Sequence, residues 1–248
     1  MPDGSRVVLV TGAASGMGLV TSRRFLDSGD RVVAWDLDAD GLKRAWGGAC
    51  PERVLTATVD VAEPEATDAG IEQVLARFGR LDVVVNNAAL HGAGWTDSCL
   101  ALPPERWRRL VDVNVLGVIN VARSAADALS AVAGVLINIS SMTAYGHGPS
   151  SGYAVTKAAV NGLTTSLAEE LGKRGVRVLG LAPGFVATHT VLDGMAPDRP
   201  AAIMRLQSLP TWGEPDDIAG ITYFLASPAA RMIVGQTVVA DVGVTRRP

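Results

Sequence analysis

The chain has 248 residues, 48% of them hydrophobic and 19% charged, and a formal net charge of -3. This composition supplies enough apolar side chains for a core and excludes a disordered chain. Basic side chains are nowhere denser than at residues 106–109, and no apolar run approaches the ~18 residues of a membrane span, so we expect neither a nucleic-acid nor a membrane partner. The two cysteines, Cys50 and Cys99, have no ligand spacing, and no export signal opens the chain, which favours a cytoplasmic protein.

Six short β-branched runs alternate along the chain with longer stretches of helical periodicity. The predicted strands occupy residues 7–10, 31–35, 54–59, 81–85, 135–139 and 176–181. Nearly all of their side chains are apolar, as strands buried on both faces require. The alternation predicts an α/β fold, a doubly wound, Rossmann-type parallel sheet between two layers of helices. Because no linker or repeat breaks the series, residues 1–248 are expected to form a single domain.

A glycine-rich loop follows the first predicted strand and opens a helix. It holds Gly12, Gly16 and Gly18, with Ser15 and Met17 between them. Glycine lets the backbone approach a phosphate closely, and the free N–H groups at the start of a helix attract an anion. No Gly-Lys-Ser/Thr sequence follows, which excludes the phosphate loop of nucleoside triphosphatases. We therefore predict that this loop binds the pyrophosphate of a dinucleotide.

An acidic residue, Asp36, ends the second predicted strand. Its carboxylate can accept both hydroxyls of an adenosine ribose, whereas the 2′-phosphate of NADP would bring two negative groups together. Leu37 follows it, and residues 13–15 supply no arginine or lysine for that phosphate. We therefore expect NAD to be preferred over NADP. The alternative is that Asp36 only caps the next helix.

Tyr153 and Lys157 lie four residues apart near the start of a long predicted helix, and so share one of its faces. A tyrosine with its ordinary pKa of about 10 is a poor base at neutral pH, but an adjacent ammonium favours the phenolate. Such a tyrosine exchanges a proton with an alcohol or a carbonyl. A tyrosine and a lysine at this spacing also occur by chance, so the pair gains its meaning from the glycine loop upstream.

Further motifs follow in chain order: Asp60 and Val61 after the third strand, Asn86 to Ala89 after the fourth, Asn114 in a long helix, Ile137 to Ser141, and Pro183 to Thr188. With the glycine loop and the tyrosine–lysine pair, they resemble the short-chain dehydrogenase/reductase family over essentially the whole chain. The resemblance implies that Tyr153 is the general acid/base and that Lys157 binds the nicotinamide ribose and lowers the tyrosine pKa. It implies that a serine holds the substrate oxygen and that Asn114 positions a water in a proton relay.

The resemblance also implies the cofactor contacts. Asp60 and Val61 would touch the adenine, Asn87 and Ala88 would lie along the adenosine ribose, and the nicotinamide would be surrounded by Pro183, Gly184, Val186 and Thr188. The serine is less clear. The family's usual spacing, thirteen residues before the tyrosine, gives Ser140, whereas the register of the strand gives Ser141. We expect Ser141, with the following loop one residue short.

The loops carry the remaining conspicuous residues. The proline-rich segment 189–210 is either a lid over a pocket or an ordinary surface insertion. The three histidines, His91, His147 and His189, each follow a motif and are plausible pocket residues. They form no metal-ligand set, so no metal is expected. Four further side chains are equally consistent with pocket walls and with simple packing: Trp95, Tyr145, Met195 and Trp212.

Together these features predict an NAD-dependent dehydrogenase that oxidises a secondary alcohol to a ketone. An NADH-dependent carbonyl or 3-oxoacyl reductase would use the same residues. The rival from another class is a non-catalytic dinucleotide sensor, against which the intact Tyr153, Lys157 and Asn114 argue. Small residues along the Tyr153 helix, namely Ala158, Ala159, Gly162 and Thr165, allow close contact between subunits. The family resemblance likewise implies a homotetramer or, less often, a homodimer.

Overall fold

The computed structural model describes residues 5–92, 94–95, 98–147, 151–188, 192 and 199–245. Seven strands in these ranges form one sheet in the order β3-β2-β1-β4-β5-β6-β7, and every neighbouring pair is parallel. They are β1 Val7–Thr11, β2 Arg31–Asp36, β3 Val54–Thr58, β4 Val83–Asn86, β5 Val135–Ile139, β6 Arg177–Pro183 and β7 Thr237–Ala240. The predicted parallel α/β sheet is therefore confirmed, with six of the strands at or near their predicted positions.

The helices lie between the strands. They are α1 Gly16–Asp27, α2 Ala39–Trp46, α3 Pro64–Phe78, α4 Pro104–Val111, α5 Gly117–Ser130, α6 Gly152–Gly172, α7 Arg199–Met204 and α8 Pro215–Leu225. A π-helical turn, Asp112–Leu116, joins α4 to α5. No helix within the described ranges is long and apolar enough to cross a membrane.

Alternate residues of the central strands feed two separate cores, one on each face of the sheet. In β1, Val7 and Leu9 pack on one face with side chains of α3, α5 and α6. Val8 and Val10 pack on the other face with side chains of α1, α2 and α8. Because successive side chains of a strand point to opposite faces, a strand with a helix layer on each side must be apolar throughout. This explains the unbroken apolar runs in the sequence.

The chain reverses direction across the sheet between β1 and β4. The strands β2 and β3 lie on one side of β1, and β4 to β7 lie on the other. The hydroxyl of Thr11, at the end of β1, accepts hydrogen bonds from the backbone N–H groups of Asn87 (3.0 Å) and Ala88 (2.9 Å). Open α/β sheets bind ligands at such a switch point, beyond the carboxyl ends of the strands.

The seventh strand, β7, was not predicted. It pairs with β6 from Gly180 opposite Thr237 to Pro183 opposite Ala240. Its four residues are only partly buried because it lies at the edge of the sheet. An edge strand needs no long apolar run, so the short sequence carries too little periodicity to be recognised.

Candidate active site

A cavity of about 1510 Å³ opens at the carboxyl edge of the sheet. This volume exceeds the ~300–1,000 Å³ of ordinary small-molecule sites, so it can hold a dinucleotide together with a substrate. All but one of the predicted site residues line it: Gly12, Ser15, Gly16, Met17, Gly18, Asp36, Leu37, Asp60, Val61, Asn87, Ala88, Ser141, Tyr153, Lys157, Pro183, Gly184, Val186 and Thr188. The exception is Asn114.

The glycine loop presents the start of α1 to this cavity. Ser15 is the N-cap but makes no side-chain capping bond, and the first turn holds no acidic residue. The N–H groups of that turn are therefore left for another acceptor. A Cβ on Gly18 would lie 2.0 Å from the carbonyl oxygen of Gly12, whose own φ is +70°. Only glycine allows this tight fold of the loop, and the resulting cradle fits a pyrophosphate.

Asp36 faces the cavity from the end of β2. Its carboxylate accepts hydrogen bonds from the backbone N–H groups of Ala14 (2.9 Å) and Asp38 (3.0 Å). These bonds hold the carboxylate beside the glycine loop. The alternative that Asp36 caps the next helix is wrong, because Asp38 is the N-cap of α2 and accepts a hydrogen bond from the N–H of Gly41 (2.9 Å).

Asp60 is paired with Arg109, a contact that the sequence analysis did not predict. The guanidinium of Arg109 lies 2.8 Å from the Asp60 carboxylate, which also accepts a hydrogen bond from the N–H of Ala62 (2.9 Å). Partial burial acts to raise the pKa of Asp60, but the hydrogen bonds and the charge of Arg109 outweigh it, so the pKa is lowered. Arg109 also lines the cavity. No local pattern could have revealed a pair whose members are 49 residues apart.

The two serines at the end of β5 have different surroundings. The side chain of Ser141 is hydrogen-bonded to that of Tyr153, and its oxygen accepts a hydrogen bond from the N–H of Thr143 (3.2 Å). The hydroxyl of Ser140 is buried and donates to the backbone carbonyl of Lys157 (3.2 Å). Both serines border the cavity. The geometry supports Ser141 as the residue paired with the tyrosine and gives Ser140 a structural bond.

Lys157 is held on the same face of α6 as Tyr153. Its side chain is buried, and its Nζ donates to the carbonyl oxygen of Ile139 (2.7 Å). The same Nζ lies 5.7 Å from the centroid of the Tyr153 ring, within the range of a cation–π contact. Burial lowers the pKa of Lys157 to about 8. The ammonium is therefore the main form at neutral pH, but it is easier to deprotonate than an ordinary lysine.

One expectation about Tyr153 needs correction. Burial raises the pKa of Tyr153 to about 12, opposed only in part by the hydrogen bond to Ser141. The sequence argument expected the Lys157 ammonium to lower this pKa. Removal of water from the phenol dominates, because burial disfavours the charged form. Tyr153 is therefore protonated at neutral pH and can donate a proton.

Asn114 lies behind the cavity wall, inside the π-helical turn. It is fully buried, and its amide nitrogen donates to the carbonyl of Leu90 (3.1 Å) and to the hydroxyl of Thr156 (3.1 Å). Its amide oxygen accepts the N–H of Leu90 (2.7 Å). The side chain thus fixes the loop after β4 against α6. The expected water-positioning role stays a prediction.

Thr188 gives the clearest sign of an absent polar ligand. Its side chain is buried and borders the cavity beside Pro183, Gly184 and Val186, yet its hydroxyl has no hydrogen-bond partner among the residues that the structure describes. A buried hydroxyl without a partner costs about 1–3 kcal/mol. The carboxamide of a nicotinamide offers both a donor and an acceptor for it. The residues at this end therefore fit a nicotinamide dinucleotide.

The apolar walls at the substrate end of the cavity are formed by other side chains than the four that the sequence analysis left open as wall residues. His91 and His147 line it, whereas His189 and Met195 lie outside the described residues. Trp95 and Tyr145 do not line it, and neither does Trp212, which packs edge-on behind a lining residue, Phe185, with ring centroids 4.8 Å apart. The apolar walls come instead from Met142, Phe185, Ala202, Ile203, Leu206 and Val244.

The segment 189–210 therefore contributes to the cavity. Its described part contains α7, and Ala202, Ile203, Arg205 and Leu206 face the cavity. This excludes an ordinary surface insertion; whether the segment moves as a lid is a separate prediction. Within the described ranges, no three His, Cys, Asp or Glu side chains converge as a metal site would require.

Comparison with known proteins agrees with this geometry. A family model described as enoyl-(acyl carrier protein) reductase matches residues 12–245. The chain is 33% identical to 3-oxoacyl-[acyl-carrier-protein] reductase of Thermotoga maritima, over 96% of this chain and 97% of that protein. It is 35% identical to cis-4-hydroxycyclohexanecarboxylate dehydrogenase of Sinomonas cyclohexanicum, over 97% and 96%. The crystal structure of 3-ketoacyl-(acyl-carrier-protein) reductase from Brucella melitensis complexed with NADH superposes with a TM-score of 0.88 at 30% identity, covering 99% of this chain and 100% of that one.

Proposed function

The chain belongs to the short-chain dehydrogenase/reductase family of NAD(P)-dependent oxidoreductases. On that premise we propose that it interconverts a secondary alcohol and a ketone, with Tyr153 as the general acid/base and NAD as the preferred cofactor. The observation that carries this proposal is the contact of Tyr153 with both Ser141 and Lys157 at one wall of the cavity. Two hydroxyl groups side by side suit a substrate oxygen, which can accept a hydrogen bond from each.

The positions of the lining residues around the cavity indicate which of them would bind each part of the cofactor. The loop from Gly12 to Gly18 would bind the pyrophosphate, Asp36 the adenosine ribose, and the Asp60 end of the cavity the adenine. Thr188 would bind the carboxamide, and Lys157 the hydroxyls of the nicotinamide ribose. When bound, the nicotinamide ring accepts a hydride from the alcohol carbon or returns one to the ketone carbon.

In the reductive direction, the protein must supply one proton to the carbonyl oxygen as that oxygen becomes a hydroxyl. Tyr153, with its pKa near 12, is protonated at neutral pH and is suited to donate it. The hydroxyl of Ser141 would hold the oxygen as its charge develops. In the oxidative direction the alcohol proton passes to a Tyr153 phenolate, whose fraction grows as the pH rises toward the pKa of this tyrosine. We therefore expect alcohol oxidation to accelerate with rising pH.

The preference for NAD rests on the surroundings of Asp36. Its carboxylate is fixed at the adenosine end of the cavity, and two basic residues described in this region are already paired, Arg109 with Asp60 and Arg44 with Asp38. A 2′-phosphate would meet a negative group without a free cation to offset it. We expect NAD to be preferred at least tenfold in kcat/KM, about 1.4 kcal/mol.

We further propose that residues 1–248 form one domain that works in the cytoplasm as a homotetramer or, less often, a homodimer. Two free cysteines, Cys50 and Cys99, are compatible with a reducing compartment. Subunit contact is supported by the exposed face of α6, where Val155 is 51% exposed and the position of Gly162 is open. Light scattering after size-exclusion chromatography measures the assembly directly, and a monomer at micromolar concentration would contradict this part.

The proposed reaction is tested with a broad panel of secondary alcohols and ketones, following NADH absorbance in both directions. We expect turnover of at least one pair. A non-catalytic dinucleotide sensor would bind NADH and turn over none. A carbonyl or 3-oxoacyl reductase would use the same catalytic residues, but at neutral pH it would reduce the ketone much faster than it oxidises the alcohol.

A further inference from the structure

Acidic and basic side chains are separated along the cavity. Among the described residues that line it, the acidic ones are Asp36 and Asp60. Both follow strands at the adenosine end, and Asp60 is already neutralised by Arg109 at 2.8 Å. The described lining of the substrate end carries no carboxylate at all.

The rest of the lining carries His91, His147 and Arg205 together with the apolar walls. His91 approaches Tyr153, with ring centroids 6.4 Å apart. Removal of water around the imidazole and the nearby Lys157 ammonium lower the pKa of His91. His91 is therefore neutral at physiological pH and can exchange hydrogen bonds, but it supplies no charge.

Arg205 adds a positive charge to this part of the lining. It follows α7 directly, and the neighbouring Ala202, Ile203 and Leu206 also face the cavity. Its guanidinium forms no ion pair or hydrogen bond with any described residue, unlike Arg109. An exposed arginine on a protein surface is usually solvated by water and binds no ligand. Here the same side chain borders an apolar cavity with no described acid near it, which leaves its planar fork of donors for a ligand.

We propose that the substrate is an alcohol or ketone with an apolar skeleton and a carboxylate remote from the reacting carbon, and that Arg205 binds this carboxylate. The inference rests on the proposed function and names the substrate class of the same site. The carboxylate takes no part in hydride or proton transfer. It orients the skeleton, so that the apolar body lies against Phe185, Ile203 and Leu206 while the oxygen reaches Tyr153. Arg205 is thus a residue that determines specificity.

The test uses pairs of hydroxy compounds that differ only in a carboxylate or an uncharged carboxamide, on cyclohexanol, linear acyl and phenyl skeletons, with simple neutral alcohols alongside. We expect the best substrate to be a carboxylate, favoured over its carboxamide at least tenfold in kcat/KM. Arg205→Gln should raise KM for that carboxylate about tenfold to a hundredfold, with kcat and the carboxamide nearly unchanged. Arg205→Lys should recover part of the loss, and high salt should raise the wild-type KM.

Arg231→Gln is the matched control, because Arg231 is also exposed but does not line the cavity. It should leave every substrate unchanged. Calorimetric binding of cyclohexanecarboxylate and cyclohexanecarboxamide to the NADH complex gives a readout independent of turnover, and Arg205→Gln should weaken only the carboxylate. A neutral best substrate, or equal effects of Arg205→Gln on both members of a pair, would overturn the inference and leave the proposed reaction standing. Absence of turnover across the whole panel would overturn the proposed reaction itself.

Discussion

Asp36 offers a test of cofactor choice in which the two cofactors respond in opposite directions. In Asp36→Ala, the ribose hydroxyls of NAD lose a charged acceptor whose position is fixed by two backbone bonds of 2.9 and 3.0 Å. Hydrogen bonds to a charged group contribute about 1.5–3 kcal/mol. The value of kcat/KM for NAD should therefore fall roughly tenfold to a hundredfold. With NADP, the same substitution removes a repulsion between like charges, so its kcat/KM should rise.

The assay measures kcat/KM for both cofactors in the wild type, Asp36→Ala, Asp36→Asn and Asp38→Ala. The asparagine variant keeps an acceptor oxygen without the charge, so it should gain NADP activity while losing less NAD activity. Asp38→Ala is the control, because Asp38 is an acid two residues away that caps α2 and does not line the cavity. It should cost about 1 kcal/mol of stability and, because it also frees Arg44, shift selectivity toward NADP less than Asp36→Ala does. Equal use of NADP by the wild type, or equal selectivity in Asp36→Ala and Asp38→Ala, would refute the reasoning.

Two further predictions concern the residues around Tyr153. Ser141→Ala should lower kcat by about 10²–10³, because it removes a donor to the substrate oxygen. Ser140→Ala should instead cost only about 1 kcal/mol of stability, because it loses one hydrogen bond to a backbone carbonyl. Steady-state kinetics and urea unfolding of both variants test this, and a larger loss of kcat in Ser140→Ala than in Ser141→Ala would favour Ser140 as the catalytic serine. Burial lowers the pKa of Lys157 from 10.5 to about 8, so between these values the unfolded chain binds more protons and wild-type stability rises with pH. Lys157→Met lacks this dependence, so its stability relative to wild type should drop by about 2 kcal/mol between pH 7 and 9.5; a difference independent of pH would show that the lysine is not buried as described.

The sequence predicted the carboxyl edge of the sheet, where the candidate site lies, but it did not predict the strand at one side of the sheet. Strand ends carry their motifs locally, so the sequence alone places Gly12 and Asp36 at one edge of the sheet, whereas Thr188 is placed there only by the family resemblance. The parallel arrangement then brings these residues together, because all the carboxyl ends of the strands meet there. The strand Thr237–Ala240 was not predicted, because an edge strand needs no buried apolar run.

Other features depend on contacts that no local pattern records. The pairing of Arg109 with Asp60 joins two distant motifs. The raised pKa of Tyr153 results from burial by surrounding loops, which the spacing of a tyrosine and a lysine cannot express. The role of Trp212 is a similar case, since its sequence position was equally consistent with a cavity wall and with simple packing, and the structure puts Phe185 in front of it. Arg205 was one charge among several in an irregular segment until α7 was seen to face the cavity.

The central claim is that Tyr153 carries the proton in a cavity that binds the cofactor independently of it. Turnover and NADH binding of Tyr153→Phe, measured on the same preparation, test it most directly. The phenylalanine ring keeps the packing against Lys157 and His91 but has no hydroxyl, and general acid/base catalysis contributes about 10²–10⁴ in rate. We predict that kcat falls by at least about a hundredfold while the NADH dissociation constant changes by less than about threefold, or roughly 0.6 kcal/mol. Unchanged turnover in Tyr153→Phe would contradict the account.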